Sequence, residues 1–250
     1  MAASYSSGVC GRFTLSKSGS EIAAHFGLRA VPAFAPRYNV APGQDVAVVR
    51  LETDPTQADG ARQLELRRWG LLPSWAKQPN DGARLFNARL ETVDTKPSFR
   101  AAFKRRRALV PADGYYEWQA ARGGKLPHHL ALPEGALFAM AAIYEHWDDG
   151  QGQELETVAL LTCEAVGASR DVHTRMPVLL SPSAYTAWLD PATDPADALA
   201  LCEPGIALGL EARRVGKRVN NVSNDDPGCL ELEPLPLFAP GPLSGQEIDD

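Results

Sequence analysis

The chain has little cysteine, and what it has is unpaired: Cys10, Cys163, Cys202 and Cys229 form no C-x-x-C and sit at no Cys/His ligand spacing. Neither a zinc site nor a disulfide framework is signalled, and reduced thiols with no bound metal are the expectation. Long hydrophobic runs are missing too. The longest, at residues 136–144, falls far short of the roughly 20 residues that a helical bilayer crossing needs. Residues 1–9 have neither the basic start nor the apolar stretch of a signal peptide, so a cytoplasmic protein without membrane contact is expected. There is no glycine-rich phosphate loop, no serine elbow and no metal-binding helix motif, which removes the commonest nucleotide-binding, hydrolase and metalloenzyme classes. No cofactor is called for.

Basic charge is scarce overall but locally concentrated. The net charge is -6, yet residues 225–250 hold seven acids and no Lys or Arg, which leaves residues 1–224 at +1. Within that near-neutral body lie Arg67-Arg68, the run Lys104-Arg105-Arg106-Arg107, Arg213-Arg214 and Lys217-Arg218. Such clusters either meet phosphates or are solvated faces and helix ends.

What is present is mostly strand. Segments 46–51, 64–71, 108–119, 128–132, 137–147 and 157–162 are short, β-branched or aromatic, and bounded by Gly, Pro or Asp. Helix signals are few: Ser18 or Ser20 ahead of Ile22, Ala23 and Phe26 with Gly27 as a stop, Ser181-Pro182 opening a helix through Leu189, and Asp194-Pro195 opening another to about Cys202. Strands following strands predict a single α+β domain with mainly antiparallel or mixed sheets and a few short helices. Polar stretches at 54–62 and 150–154 are expected hairpin loops. Residues 1–9 are expected to be an extension, residues 10–235 the folded domain, and residues 236–250 an acidic, Pro-rich mobile tail.

The residues able to carry chemistry are scattered. Cys10-Gly11-Arg12-Phe13 sets a thiol beside a cation. Tyr115-Tyr116-Glu117-Trp118 sets a carboxylate among aromatics, where desolvation would raise its pKa, although a solvent-facing Glu on an amphipathic strand is the ordinary alternative. His173 precedes Thr174-Arg175-Met176-Pro177, and Asn87 has Arg89 two positions on, on the same face of a strand. Asn39 and Pro42 lie in a turn-rich segment at 37–43. Trp69 is expected in the core, while Trp75 could be core or a stacking residue. His25, His128, His129 and His146 are expected to be structural.

Taken in order, seven segments resemble the SOS-response-associated peptidase family, whose members act on abasic sites in DNA. They are Cys10-Gly11-Arg12-Phe13, residues 37–43, residues 69–75, residues 87–92, residues 111–118, His173 to Pro177, and Val219-Asn220-Asn221. The resemblance implies Cys10 as nucleophile with Asn87, Glu117 and His173 around it, and DNA contacts from Arg12, Asn39, Pro42, Trp75 and Arg89. It implies a monomer that senses abasic sites in single-stranded DNA, forming a thiazolidine crosslink of lyase type with an associated autopeptidase activity. A thiol peptidase using Cys10 and His173, or a non-covalent single-strand binder, are the competing functions. In the family the cysteine follows the initiator methionine, whereas here nine residues precede it. The expectation is therefore that the start lies at the codon read as Val9 or that the leader is removed.

Overall fold

The computed structural model describes residues 10–33, 35–52, 61–79, 81 and 85–233. The expected extension at residues 1–9 and the expected tail at 236–250 lie outside them. Among the described residues the strands are β1 (Arg12–Leu15), β2 (Arg37–Val40), β3 (Asp45–Leu51), β4 (Arg62–Trp69), β5 (Asn87–Arg89), β6 (Arg107–Ala112), β7 (Gly114–Ala121), β8 (Gly124–Ala131), β9 (Phe138–Asp148), β10 (Glu154–Glu164), β11 (Arg175–Pro177), β12 (Leu179–Leu180) and β13 (Glu211–Arg214). The helices are α1 (Gly19–Phe26), α2 (Arg100–Arg105), α3 (Gly167–Val172), α4 (Tyr185–Leu189) and α5 (Pro195–Ala200). No helix among them is long and apolar enough to cross a membrane.

Local chemistry sets the helix ends that the sequence announces. Ser18 and Glu21 form a reciprocal capping box at the start of α1, and Gly27 closes it in the left-handed conformation with φ 65°. Asp194 caps α5 through Ala196 N. The expected helix after Ser181 is a 3-10 turn that runs into α4.

One sheet has the order β13-β8-β7-β1-β2 and is antiparallel throughout. The other runs β11-β10-β4-β3-β6-β9-β12, with β5 added on β10. Because β10 pairs with β9 as well as with β4, strands β3, β4, β6, β9 and β10 close into a ring. Val48, Val49, Leu109 and Leu160 on these strands are fully buried in the main core. Residues Phe138 to Ile143 of β9 are all buried, one face toward the ring and the other beneath neighbouring elements, which is why this strand reads as an unbroken apolar run.

The expected single strand at 108–119 is two strands in different sheets, and the break at Asp113 builds the joint between them. The Asp113 carboxylate accepts from Thr14 Oγ1 (2.5 Å), Ser16 N (2.6 Å) and Ser16 Oγ (2.7 Å), while Asp113 N donates to Thr14 O. This ties β1 across the corner. Gly114 follows because there is no room for more: a Cβ there would lie 2.1 Å from His129 Nε2. The His129 ring is itself fixed between Thr14 Oγ1 and the Tyr116 ring, and burial pushes its pKa down to about 4, so it is neutral at physiological pH. Gly114→Ala is expected to cost about 2 kcal/mol, the range of overpacking substitutions, as a lowered midpoint in urea unfolding with unchanged slope. An unchanged midpoint would mean that the ring yields freely.

The basic clusters are largely consumed by the fold. Arg67 is buried beneath the Tyr144 ring, paired with Glu65 and Glu156, and Arg106 pairs with Glu145. Arg213 pairs with Glu211 and Arg218 with Asp226. Asp225, counted above with the acidic stretch, is built into the body, accepting from Tyr38 N (2.5 Å) and Asn39 N (2.8 Å) and pairing with Arg37.

Candidate active site

The register of β1 on β7, Arg12 opposite Tyr116 and Thr14 opposite Gly114, lays the chain ahead of β1 alongside the second half of β7. Cys10 is thereby fully buried, in a left-handed backbone conformation with φ 44° that few non-glycine residues adopt without cost. Its main-chain nitrogen donates to Glu117 Oε1 at 2.5 Å. Strand alternation directs Glu117 to the face opposite Tyr116 and Trp118, and that face is the interior, so the ordinary solvent-facing reading of Glu117 is overturned: it is 4% exposed. Burial lifts its pKa to about 7, a rise held back by hydrogen bonds from the nitrogens of Cys10 and Trp118. The Cys10 thiol is pushed well above the usual range by burial and then by Glu117, so it is held as a neutral thiol rather than a thiolate.

Two further expected residues are set by neighbouring elements. β5 runs parallel to β10 with Asn87 beside Leu160, and Asn87 Nδ2 donates to Cys10 O at 3.3 Å. His173 is the C-cap of α3, its N–H donating to Ser169 O at 2.9 Å. Arg175 N donates to His173 Nδ1 at 3.1 Å, with the Arg175 carbonyl the weaker partner at 3.4 Å. The donated bond assigns the ring proton to Nε2. Arg175 also grips Glu91 with two bonds of 2.5 and 2.9 Å and reaches Thr162 O, bracing the Asn87 segment against the His173 segment. Sequence reasoning passed over Glu91 and Arg175 although both lie within segments it singled out. Tyr115 was passed over too; its position two residues before Glu117, on the same strand face, was the available signal.

The residues expected at DNA divide. Trp75 is 64% exposed, Arg89 is exposed and Pro42 is half-buried. The Pro42 loop is anchored at Trp69: Gly43 N donates to Trp69 O (2.7 Å) and Trp69 N to Gln44 O (2.8 Å). Trp69 itself lies in the core, as expected. Asn39, by contrast, is fully buried, its Nδ2 bonded to the carbonyls of Val219, Asn221 and Asn224 and its Oδ1 to Arg12 Nη1. Arg12 also donates to Val219 O (2.7 Å) and lies over the Trp118 ring. Both side chains are thus committed to holding the strap at 219–225.

The structure is a single α+β domain that buries a cysteine with its main-chain nitrogen on a carboxylate and with an asparagine on its carbonyl. The family model for SOS response associated peptidase (SRAP) matches residues 9–222, and the chain belongs to this family. It is 36% identical over 229 residues to the abasic site processing protein YoqW of Bacillus subtilis, covering 89% of this chain and 99% of that one. It is 33% identical over 235 residues to the abasic site processing protein HMCES of Gallus gallus, covering 83% of this chain and 68% of that protein. Among solved structures, a protein from Bacteroides thetaiotaomicron superposes with a TM-score of 0.77 at 24% identity, over 90% of this chain and all of that one, which shows the shared fold.

Proposed function

We propose that the chain captures abasic sites in single-stranded DNA covalently, through the nitrogen and thiol of Cys10 when Cys10 is the first residue. The observation that carries this reading is the 2.5 Å contact from Cys10 N to Glu117 Oε1 in a buried site. A thiol peptidase needs its base on sulfur; here the carboxylate addresses nitrogen. The names of the relatives, which are abasic site processing proteins, support the substrate.

The chemistry follows from the groups present. The opened sugar of an abasic site carries an aldehyde. Glu117 takes a proton from the Cys10 ammonium, and the freed amine attacks the aldehyde carbon. The resulting carbinolamine loses water to give an imine. The thiol then adds: sulfur bonds to the imine carbon and the thiol proton passes to nitrogen, closing a five-membered thiazolidine. A C–N and a C–S bond form, the C=O bond is lost as one water, and nothing is oxidised or reduced. A thiol held neutral suits this step because it brings its own proton. His173, with its proton on Nε2, serves sugar-ring opening and imine formation, and Asn87 orients Cys10 through its carbonyl. Trp75, Arg89 and Pro42 offer the strand a stacking ring, a cation and an apolar edge. Arg12 and Asn39 act through the strap they pin.

The test is denaturing gel electrophoresis of two preparations, one beginning at Met1 and one at Cys10, each mixed with single-stranded DNA carrying one abasic site. A heat-stable shifted band is expected for the form with a free Cys10 amine, and intact mass of the Met1 preparation reports whether residues 1–9 have been removed from it. No band from a verified Cys10 amino terminus overturns the reading.

A further inference from the structure

The interior face of β7 presents Tyr115, Glu117 and Gln119 in line, spaced by two residues. The flanking pair both reach α3. Tyr115 Oη and Ser169 Oγ share a buried hydrogen bond of 2.7 Å, and Gln119 Nε2 donates to Asp171 O at 2.8 Å. Ser169 in turn accepts the N–H of His173 through its carbonyl. One strand face therefore holds Glu117 directly and His173 through two ties to the helix that carries it.

We propose that the Tyr115–Ser169 hydroxyl pair, with Gln119 as an outer tie, is a positioning device that sets His173 against the Cys10–Glu117 pair; this rests on the capture reading above. α3 cannot hold an orientation by itself. It has six residues, its N-terminus has no side-chain cap, and it opens on Gly167 at φ 52°. A helix of this length is marginal in water and takes its direction from what it packs on. Ser169 is 2% exposed and Tyr115 fully buried, so their hydroxyls satisfy one another in an environment where an unpaired one would be costly. Simple packing would be served by Phe and Ala. A directional bond placed two residues from Glu117, on the residue whose carbonyl receives His173, fixes the helix in rotation and height. The Tyr115 hydroxyl is also held protonated, by burial first, so the tie persists across the working pH range.

Tyr115→Phe, Ser169→Ala and Ser169→Thr are made in the form beginning at Cys10, which contains every described element. Single-turnover adduct formation is followed at saturating abasic single strand, and affinity is read separately by anisotropy on an undamaged strand. Tyr115→Phe and Ser169→Ala should each slow the adduct rate about tenfold with affinity unchanged, the double variant should be no slower than either, and Ser169→Thr should recover most of the loss. On uniformly labelled protein, the His173 ring nitrogens should show one Nε2–H tautomer in wild type and a shifted or averaged pattern in the two hydroxyl-deleting variants. Wild-type rates with an unchanged His173 pattern overturn the proposal, as does a slowing wholly explained by lost DNA affinity. Should wild type with a free Cys10 amine form no adduct, the capture reading fails by itself. The His173 pattern then decides the positioning role: altered in the variants supports it, unaltered overturns it.

Discussion

A Glu117→Gln chain beginning at Cys10 is expected to form its adduct about a hundredfold more slowly than wild type, the scale set by losing one positioned proton-transfer group. Cys10→Ala should form none, because the thiazolidine needs amine and thiol from one residue. Burial raises the Glu117 carboxyl, to about 7 where Cys10 N is an amide, and a free Cys10 ammonium beside it pulls that value down. A protonated carboxyl cannot take the ammonium proton, so the wild-type rate should fall on the acid side as Glu117 protonates, while the Gln variant should follow the amine's own titration alone. Rate measurements from pH 5.5 to 9 on both chains check this, and superimposable profiles at similar rates would remove Glu117 from the chemistry.

The same residue should act on stability with the opposite sign. Its carboxyl titrates near 4.5 when unfolded and near 7 when folded, so between those values the folded chain holds a proton that the unfolded chain has released. That contribution is fully present below about pH 4.5 and is lost as pH rises through about 7. Above pH 7 the buried carboxylate costs up to about 3 kcal/mol relative to its neutral form. Glu117→Gln should thus be slower in the form beginning at Cys10 and, in the chain that keeps residues 1–9, more stable at pH 8. A variant that is slower and also less stable at pH 8 would point to a disrupted fold rather than a lost base.

How much of this was legible depended on the distance over which each feature is specified. α1 was readable because Ser18, Glu21 and Gly27 carry their own instructions. The hairpin of β3 and β4 was readable from two alternating runs around a polar stretch, part of which lies outside the described residues, and Leu51 pairs with Arg62 where it begins and ends. The ring was not readable, because its closure is a pairing of β10 with two partners that no local pattern encodes. α3 escaped notice for want of a cap, and its ties to β7 are side-chain bonds across about fifty residues. Within the site, residue types suggested chemistry at Cys10 and Glu117, but only the register of β1 on β7 shows that the carboxylate meets nitrogen. The segment of Asn39 suited a tight loop and a base contact equally, and Arg12 suited a thiol or a phosphate; the partners both side chains find at 219–224 are supplied by a segment far along the chain.

The basic run at 104–107 shows how misleading composition can be, and it yields the largest expected loss of stability. Arg107 is 2% exposed and its guanidinium bonds only to main-chain carbonyls: Trp188 O through Nε, Phe103 and Lys104 O through Nη1, and Asp190 and Thr193 O through Nη2. Its plane lies over the Trp188 ring. One side chain thereby terminates α2, fixes the end of α4 and holds the turn ahead of α5, all against the β6 edge of the ring. Lysine cannot substitute, since a single ammonium has neither the reach nor the fork to meet five carbonyls. Removing the cation takes its donors from these five carbonyls; Asp190 O keeps the Thr193 N–H, and water reaching the space left by the guanidinium meets part of the rest, so the loss stays below the sum of five unsatisfied groups. Arg107→Met keeps the apolar stem and should cost about 3 to 5 kcal/mol in all, a fall in Tm of roughly 10 °C for a chain of this size. Arg107→Lys should recover less than half of it. By contrast Arg105→Ala, on an exposed residue of α2, should leave Tm unchanged. Calorimetry on the three variants separates a keystone from a phosphate contact: if Arg107→Met melts with wild type while losing affinity for single-stranded DNA, the arginine serves the ligand and not the fold.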